Sequence, residues 1–223
     1  MLQPKLSRIK DDRYYSTIRW DIIDLIPEGR HKVLDVGCGA GSTLKKLKET
    51  GKALEIWGVE VNAMYAKELE KALNGFFMGD AETHGHHFEN RYFDYIIFGD
   101  VLEHLYDPKK TVRRYKNYLK DDGFIIASVP NLKYFRILID LILFDRFEYR
   151  DTGILDNTHL RFFTKKEIVK IFEDEGFRIC RIYDKIGLPL LCNGVVRDML
   201  PAVSFFTYQY LLKTRKASVD RVL

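Results

Sequence analysis

Short apolar runs alternate with amphipathic helical patterns from residue 32 to residue 185, and no other feature restricts the chain so much. The runs are "KVLDV" (32–36), "ALEIWGVE" (53–60), "FFMGD" (76–80), "FDYIIFGD" (93–100) and "FIIASVP" (124–130). A strand that is apolar on both sides cannot leave either face in water, so it belongs inside a parallel sheet covered by helices on both faces. The covering helices are expected at 43–51, with Ser42 or Thr43 as cap, at 63–75 after Asn62, at 108–123 with Pro108 at its start, and at 165–176 after Thr164. An earlier helical pattern, 14–29, stops at Pro27 and Gly29. The strands "FRICRIYDK" (177–185) and "FFTYQYLLKTRK" (205–216) follow one another with no good helix between them, which predicts an antiparallel pair at the sheet edge. The fold class is therefore α/β, a doubly wound and mostly parallel sheet. It is divided into an N-terminal helical segment (1–30) and one domain (31–223) that carries an aromatic, mixed-charge insertion at 131–163.

Composition removes several function classes. Lys plus Arg total 36 against 32 Asp plus Glu, and the excess is not gathered into a dense block, so a nucleic-acid partner is not expected. The three cysteines, Cys38, Cys180 and Cys192, lack metal-type spacing and read as reduced thiols of a cytoplasmic protein. The polar start is no signal peptide. The most apolar stretch, "YFRILIDLILF", is too short to span a bilayer, so no transmembrane segment is expected.

The loop after the first strand reads "VGCGAGS", with Gly37, Gly39 and Gly41. In an open α/β sheet the ligand sits beyond the carboxyl ends of the strands, and glycines there let it meet bare backbone. A dinucleotide fingerprint would need glycine at position 42, which is Ser42, and Asp35 at the strand end would repel a pyrophosphate. Glu60 ends the second strand, where a carboxylate accepts from ribose hydroxyls, and Asp80 ends the third, placed to accept from an exocyclic amine. Acids at three successive strand ends describe a ligand with an amine, a ribose and an adenine and no phosphate: S-adenosylmethionine.

"VLDVGCGAG", "VE", "GDAE" and "FDYIIFGDVLEHL" resemble the successive motifs of class I S-adenosylmethionine-dependent methyltransferases over roughly residues 13 to 185. The resemblance implies a seven-stranded sheet whose last strand is antiparallel. It implies that Asp35, Gly37 and Gly39, with Gly41 in the same loop, line the methionine portion. Glu60 would take the ribose hydroxyls, Asp80 and Ala81 the adenine, and the Gly99 carbonyl the amine.

Acceptor chemistry is expected after the fourth strand, in "GDVLEHLYDP". If that stretch is helical, Asp100, Glu103 and His104 share one face, and His159 in the insertion folds over the same mouth. Three readings are open. His104 or His159 is a general base, with Glu103 beside it. Alternatively, Asp100, Glu103, His104 and His159 bind a divalent metal. Or Glu103 and His104 only hold the loop. The pattern is similar to the catechol O-methyltransferases of ubiquinone biosynthesis and to small-RNA 2′-O-methyltransferases, both metal-using. "THLRFFT" is similar to methyltransferases encoded with surface-glycan biosynthesis, which implies a hydroxyl on a sugar or other small molecule. Beside this O-methyltransferase reading stand a catalytically silent cofactor-binding scaffold and a metal-assisted RNA methyltransferase.

The polar "HGHHFEN" loop, with His84, His86 and His87, reads as a solvated loop, and Cys38 as a small filler. In the insertion, Phe135, Leu138, Ile139, Ile142 and Leu143 form one helical stripe. The stripe predicts either core packing against the sheet edge or a lid, with Tyr134, Tyr149 and Arg161 facing the pocket.

Overall fold

The computed structural model describes residues 15–83, 88–187 and 203–217. Its strands are β1 (His31–Val36), β2 (Ala53–Glu60), β3 (Gly75–Met78), β4 (Phe93–Gly99), β5 (Leu119–Pro130), β6 (Phe177–Ile186) and β7 (Thr207–Lys216). Its helices are α1 (Trp20–Ile23), α2 (Ser42–Glu49), α3 (Ala66–Ala72), α4 (Pro108–Lys116), α5 (Phe135–Phe144), α6 (Lys165–Asp174) and the single turn α7 (Val203–Phe206). They build one seven-stranded sheet of order β3-β2-β1-β4-β5-β7-β6. β1 to β5 pair in parallel, and β7 is antiparallel to both β5 and β6. β6 and β7 thus form the expected antiparallel pair at the sheet edge, with β7 between β5 and β6 and β6 outermost.

Apolar side chains fill both sheet faces, as the unbroken strand pattern requires. One cluster joins Leu34, Ile96, Phe98, Ile125 and Ala127 to Val112 and Tyr115 of α4 and Ile168 and Phe172 of α6. The other joins Val33, Ile56 and Ile97 to Leu44 and Leu47 of α2, Leu69 of α3, and Ile22, Ile23 and Ile26 of the N-terminal segment. Between Tyr15 and Arg30 the helix is broken: Tyr15 and Ser16 are helical, residues 17–19 are not, and α1 follows, so the 14–29 pattern is not one continuous helix, yet its apolar residues still reach the core.

Three boundaries differ from expectation for local reasons. α4 ends at Lys116, and Leu119, fully buried, already lies opposite Phe93 in β5. Lys120, Asp121 and Asp122 then pass outside that register, which resumes at Tyr95 opposite Phe124. α2 is capped by Gly41 in the left-handed region and not by Ser42 or Thr43, because the Thr43 hydroxyl oxygen accepts the Arg19 N–H at 3.1 Å. The Asn62 side chain accepts from Met64 N–H and opens a 3-10 turn (Ala63–Tyr65) that runs on into α3. Asp107 accepts from Lys110 N–H, and Glu167 accepts from Thr164 N–H, so these two helix starts match the pattern that predicted them.

Candidate active site

The glycine loop connects β1 to α2 at the carboxyl edge of the sheet. Gly37, Gly39 and Gly41 all have left-handed backbone, with φ of 76°, 54° and 71°. A Cβ on Gly39 would lie 2.6 Å from the Tyr15 carbonyl oxygen, and one on Gly37 would lie 2.6 Å from the Val101 side chain. The bareness of this loop therefore serves turn geometry and the protein's own close neighbours. Every N–H in it is taken: Gly37 and Cys38 donate to the Val59 carbonyl, Gly39 to Glu60, Ala40 to the Tyr15 carbonyl and Gly41 to the Cys38 carbonyl. A phosphate cradle needs free N–H groups, and this loop offers none of its own.

Around the loop stand acceptors. Asp35 is buried at the end of β1, and burial pushes its carboxyl up to about 7, with Glu60 adding to the rise and Arg19 pulling against it. A cationic ligand is the natural complement of such a group. Glu60, also buried, accepts from Gly39 N–H at 2.8 Å through one oxygen and from Val61 and Asn62 N–H at 2.9 and 2.8 Å through the other. Asp80 is exposed beyond β3, with one oxygen accepting from Glu82 N–H, and Ala81 beside it is half-buried. Cys38 lies within this anionic pocket, where burial, then Asp35 and Glu60, raise its thiol well above the ordinary range and keep it protonated. That agrees with a filler and not a nucleophile.

Asp100 does not join Glu103 and His104 on one helical face. Its φ is +59°, and only Leu102–His104 form a 3-10 turn, so the chain bends between them. Its carboxylate accepts instead from Arg19 Nη1 at 2.5 Å, Ser128 Oγ at 2.9 Å and Gln209 Nε2 at 2.6 Å. As a metal ligand Asp100 is already engaged elsewhere. Arg19 also bonds Asp21 and Ser128, and a Cβ on Gly99 would lie 3.8 Å from its Nη1. Burial works to raise the Asp21 carboxyl, but Arg19 and then Lys185 hold it down to about 2. Arg19 thus brings a fixed positive charge to the mouth beside Gly99, and sequence reading missed it because one arginine in an amphipathic segment carries no signal. Ser128 and Gln209 were missed for the same reason.

Glu103, His104 and His159 do converge. The Glu103 carbonyl accepts from Leu160 and Arg161 N–H at 2.8 and 2.9 Å, which draws the insertion against the 3-10 turn. The two imidazole centroids are 4.8 Å apart at 74°, and donor atoms of all three residues lie within 4.8 Å of one another. His104 Nδ1 sits 3.2 Å from both the carbonyl and the hydroxyl oxygen of Thr158, whose hydroxyl is already donated to Asp156 at 2.6 Å. Both are acceptors, so Nδ1 carries the proton and Nε2 the lone pair. His159 Nδ1 lies 3.0 Å from the Ile154 carbonyl, which assigns the same tautomer. Asp156 also accepts from Thr158 N–H, an Asx-turn that "DNTH" foreshadows.

The apolar stripe of α5 is divided: Phe135 and Leu138 are half-buried, Phe135 against the small cluster of Tyr134, Ile137 and Leu155, and the rest faces outward. Of the helix only Ile137 is buried, and Ile139, Ile142 and Leu143 are exposed. A groove of about 440 Å³ lies between α5 and residues 150–155, lined by Tyr134, Arg136, Arg150, Leu155 and Tyr208 among others. Tyr134 lines this groove. Tyr149 is exposed against Phe147 and Phe162, and Arg161 is drawn aside to the Tyr106 carbonyl. His84, His86, His87 and Cys192 lie outside the described residues.

Residues 11–182 match the family model described as a methyltransferase domain. The chain is 27% identical over 178 residues to a demethylmenaquinone methyltransferase of Thermotoga maritima, covering 71% of this chain and 73% of that one. It is 24% identical to a ubiquinone biosynthesis O-methyltransferase of Shewanella sp., covering 70% and 66%. A solved S-adenosylmethionine-dependent methyltransferase from Archaeoglobus fulgidus superimposes with a TM-score of 0.63 at 20% identity, covering 92% and 97%. With the anionic strand ends and the fully engaged glycine loop, these matches identify the chain as a member of the methyltransferase-domain family, an S-adenosylmethionine-dependent enzyme of class I.

Proposed function

We propose that this methyltransferase acts on a hydroxyl oxygen of a sugar or other small molecule, with His104 and His159 receiving the hydroxyl proton. The observation that carries the reading is the imidazole pair, 4.8 Å apart, with both Nδ1 atoms held by oxygen acceptors. A buried Glu103 carboxyl lies with the two imidazoles, their ligand atoms within 4.8 Å of one another, a setting suited to proton transfer. The cofactor supplies an activated methyl group, so the protein's work is to bind, align and manage a proton. Asp35, Gly37, Gly39, Gly41 and the Gly99 carbonyl would receive the methionine end. Glu60 would receive the ribose and Asp80 with Ala81 the adenine. The two oxygens of Glu60 have about four acceptor directions, of which three are already used by backbone N–H groups. Glu60 therefore accepts from one ribose hydroxyl while it holds the loop. The free thiols Cys38 and Cys180 support a reducing, cytoplasmic setting.

A second reading rests on the same three residues. Two imidazoles and a carboxylate with ligand atoms within 4.8 Å of one another form a donor set for a divalent cation, which would lower the pKa of a bound hydroxyl. The deciding experiment is a methyl-transfer screen with labelled cofactor over sugars, catechols, quinone-type compounds and RNA, each with and without chelator. Transfer to oxygen that a chelator leaves untouched supports the base reading. Loss restored by Mg, Mn or Zn supports the metal. Transfer only to nitrogen or carbon, or to no compound despite tight binding of S-adenosylhomocysteine, overturns the proposal.

A further inference from the structure

The end of α5 is apolar in every direction. Leu141, Ile142, Leu143 and Phe144 are consecutive and 42, 74, 69 and 63% exposed. Successive helical residues point about 100° apart, so four in a row cover roughly 300° of the circumference. A protein partner or a groove meets a helix along one stripe, about a third of the way round, and would leave the other side chains in water. Only a surrounding apolar phase takes all four at once. Isolated exposed hydrophobes are ordinary, but a contiguous set marks an interaction site.

Charge narrows the partner further. Residues 131–163 carry five basic and five acidic side chains. Two of the charged residues just past the helix pair locally, Arg146 with Glu148 at 3.7 Å and Arg150 with Asp140 at 3.5 Å. A neutral segment has no electrostatic pull on nucleic acid or an acidic protein, and its fit is to an uncharged apolar phase. Four residues of helix are about 6 Å long, which matches the depth to which interfacial helices enter a bilayer. Crossing the bilayer is a different matter: among the described residues no helix is long and apolar enough for that.

We propose that the end of α5 is a lipid-docking element that inserts shallowly into the surface of a bilayer. Docking there turns the acceptor side of the enzyme toward the lipid. The groove beside α5 is lined by Ile139 and Ile154, and the Ile154 carbonyl holds His159. The inference goes beyond the acceptor reading and does not depend on it.

Flotation of the full chain with phosphatidylcholine vesicles, at low and high salt, tests it. The expected result is co-flotation that salt leaves unchanged. The double variant Ile142→Ser/Leu143→Ser should lower the bound fraction about tenfold or more, while its affinity for S-adenosylhomocysteine by calorimetry stays that of the wild type. Leu54→Ser, an exposed apolar residue at the start of β2, should float like the wild type. The proposal is overturned if the wild type does not float, if it floats only on anionic vesicles and salt releases it, or if the double variant floats equally well. It is overturned too if sedimentation velocity without lipid reveals a dimer that the double variant dissolves while vesicle binding is absent, because the tip is then an interface between copies.

Discussion

From Gly37 to Gly41 each backbone N–H is answered within one layer of the molecule, by the end of β2, by the loop itself or by Tyr15. Around His104 the partners come from far along the chain: Thr158 lies 54 residues away, and its segment is held at the 3-10 turn by Leu160 and Arg161 N–H donating to the Glu103 carbonyl. The first region is a frame in which backbone, with the Glu60 side chain, holds backbone. The second is a junction in which backbone holds side chains. The contrast teaches that damage to the two should register differently: at the glycine loop in binding and stability together, at the histidine junction in rate alone.

The sharpest break of that contrast is at His104. Positioned proton removal is worth about 10²–10⁴ in rate, so His104→Ala should slow turnover by that order while calorimetry with S-adenosylhomocysteine returns the wild-type affinity. A fall in affinity of similar size would mean that the two regions are one unit.

Asp35 offers the next largest effect. Its folded carboxyl stands at about 7, against about 3.9 for an aspartate in the unfolded chain. The native state keeps a proton that the unfolded state releases, so the stability it contributes is full below pH ~4 and is lost as pH rises through about 7. Thermal melts of the cofactor-free protein should thus fall across that window, by an amount on the order of a few kcal/mol, and Asp35→Asn should flatten the fall. Affinity for the cationic cofactor should move the other way and rise toward alkaline pH, because the ionised form of Asp35 is the one that a cation favours.

Glu60→Ala removes one carboxylate that serves three N–H groups and, as proposed, a ribose hydroxyl. Losing a hydrogen bond to a charged acceptor costs about 1.5–3 kcal/mol, so cofactor affinity should drop roughly tenfold or more, with a lowered melting temperature beside it. Loss of affinity with an unchanged melt would separate the frame from the ligand. The smallest expected effect is at Thr158→Val, which leaves His104 in place but takes away the hydroxyl that Asp156 orients. One neutral hydrogen bond is worth about 0.5–1.5 kcal/mol, so kcat should fall several-fold, KM should stay, and the pH–rate profile should shift. An unchanged profile would show that the Thr158 hydroxyl does not govern the imidazole.

How much was legible beforehand follows the same division. The five parallel strands, their helices and the acids at their ends could be read from residues 32 to 130, because each rests on a short-range pattern: an unbroken apolar run, a glycine with left-handed backbone, a polar cap. Helix lengths were overestimated at 14–29 and 108–123, where Leu119 left its helical period for a place opposite Phe93. The pairing of His104 with His159 was anticipated from their polar settings. The membership of Asp100 was not correctly anticipated, since its left-handed backbone and its bond to Arg19 depend on an N-terminal segment 81 residues away.

The sequence by itself determined an anionic, phosphate-free cofactor edge on a parallel sheet, since strand periodicity and glycine backbone are local consequences of residue type. Only the tertiary structure decided that β7 lies between β5 and β6, that Arg19 stands over Asp100 and Gly99, and that Ile139, Ile142 and Leu143 of the α5 stripe face outward. Those outcomes depend on which distant surfaces compete for the same space. A pattern of spacing records which face of an element is apolar and is silent about what will cover it.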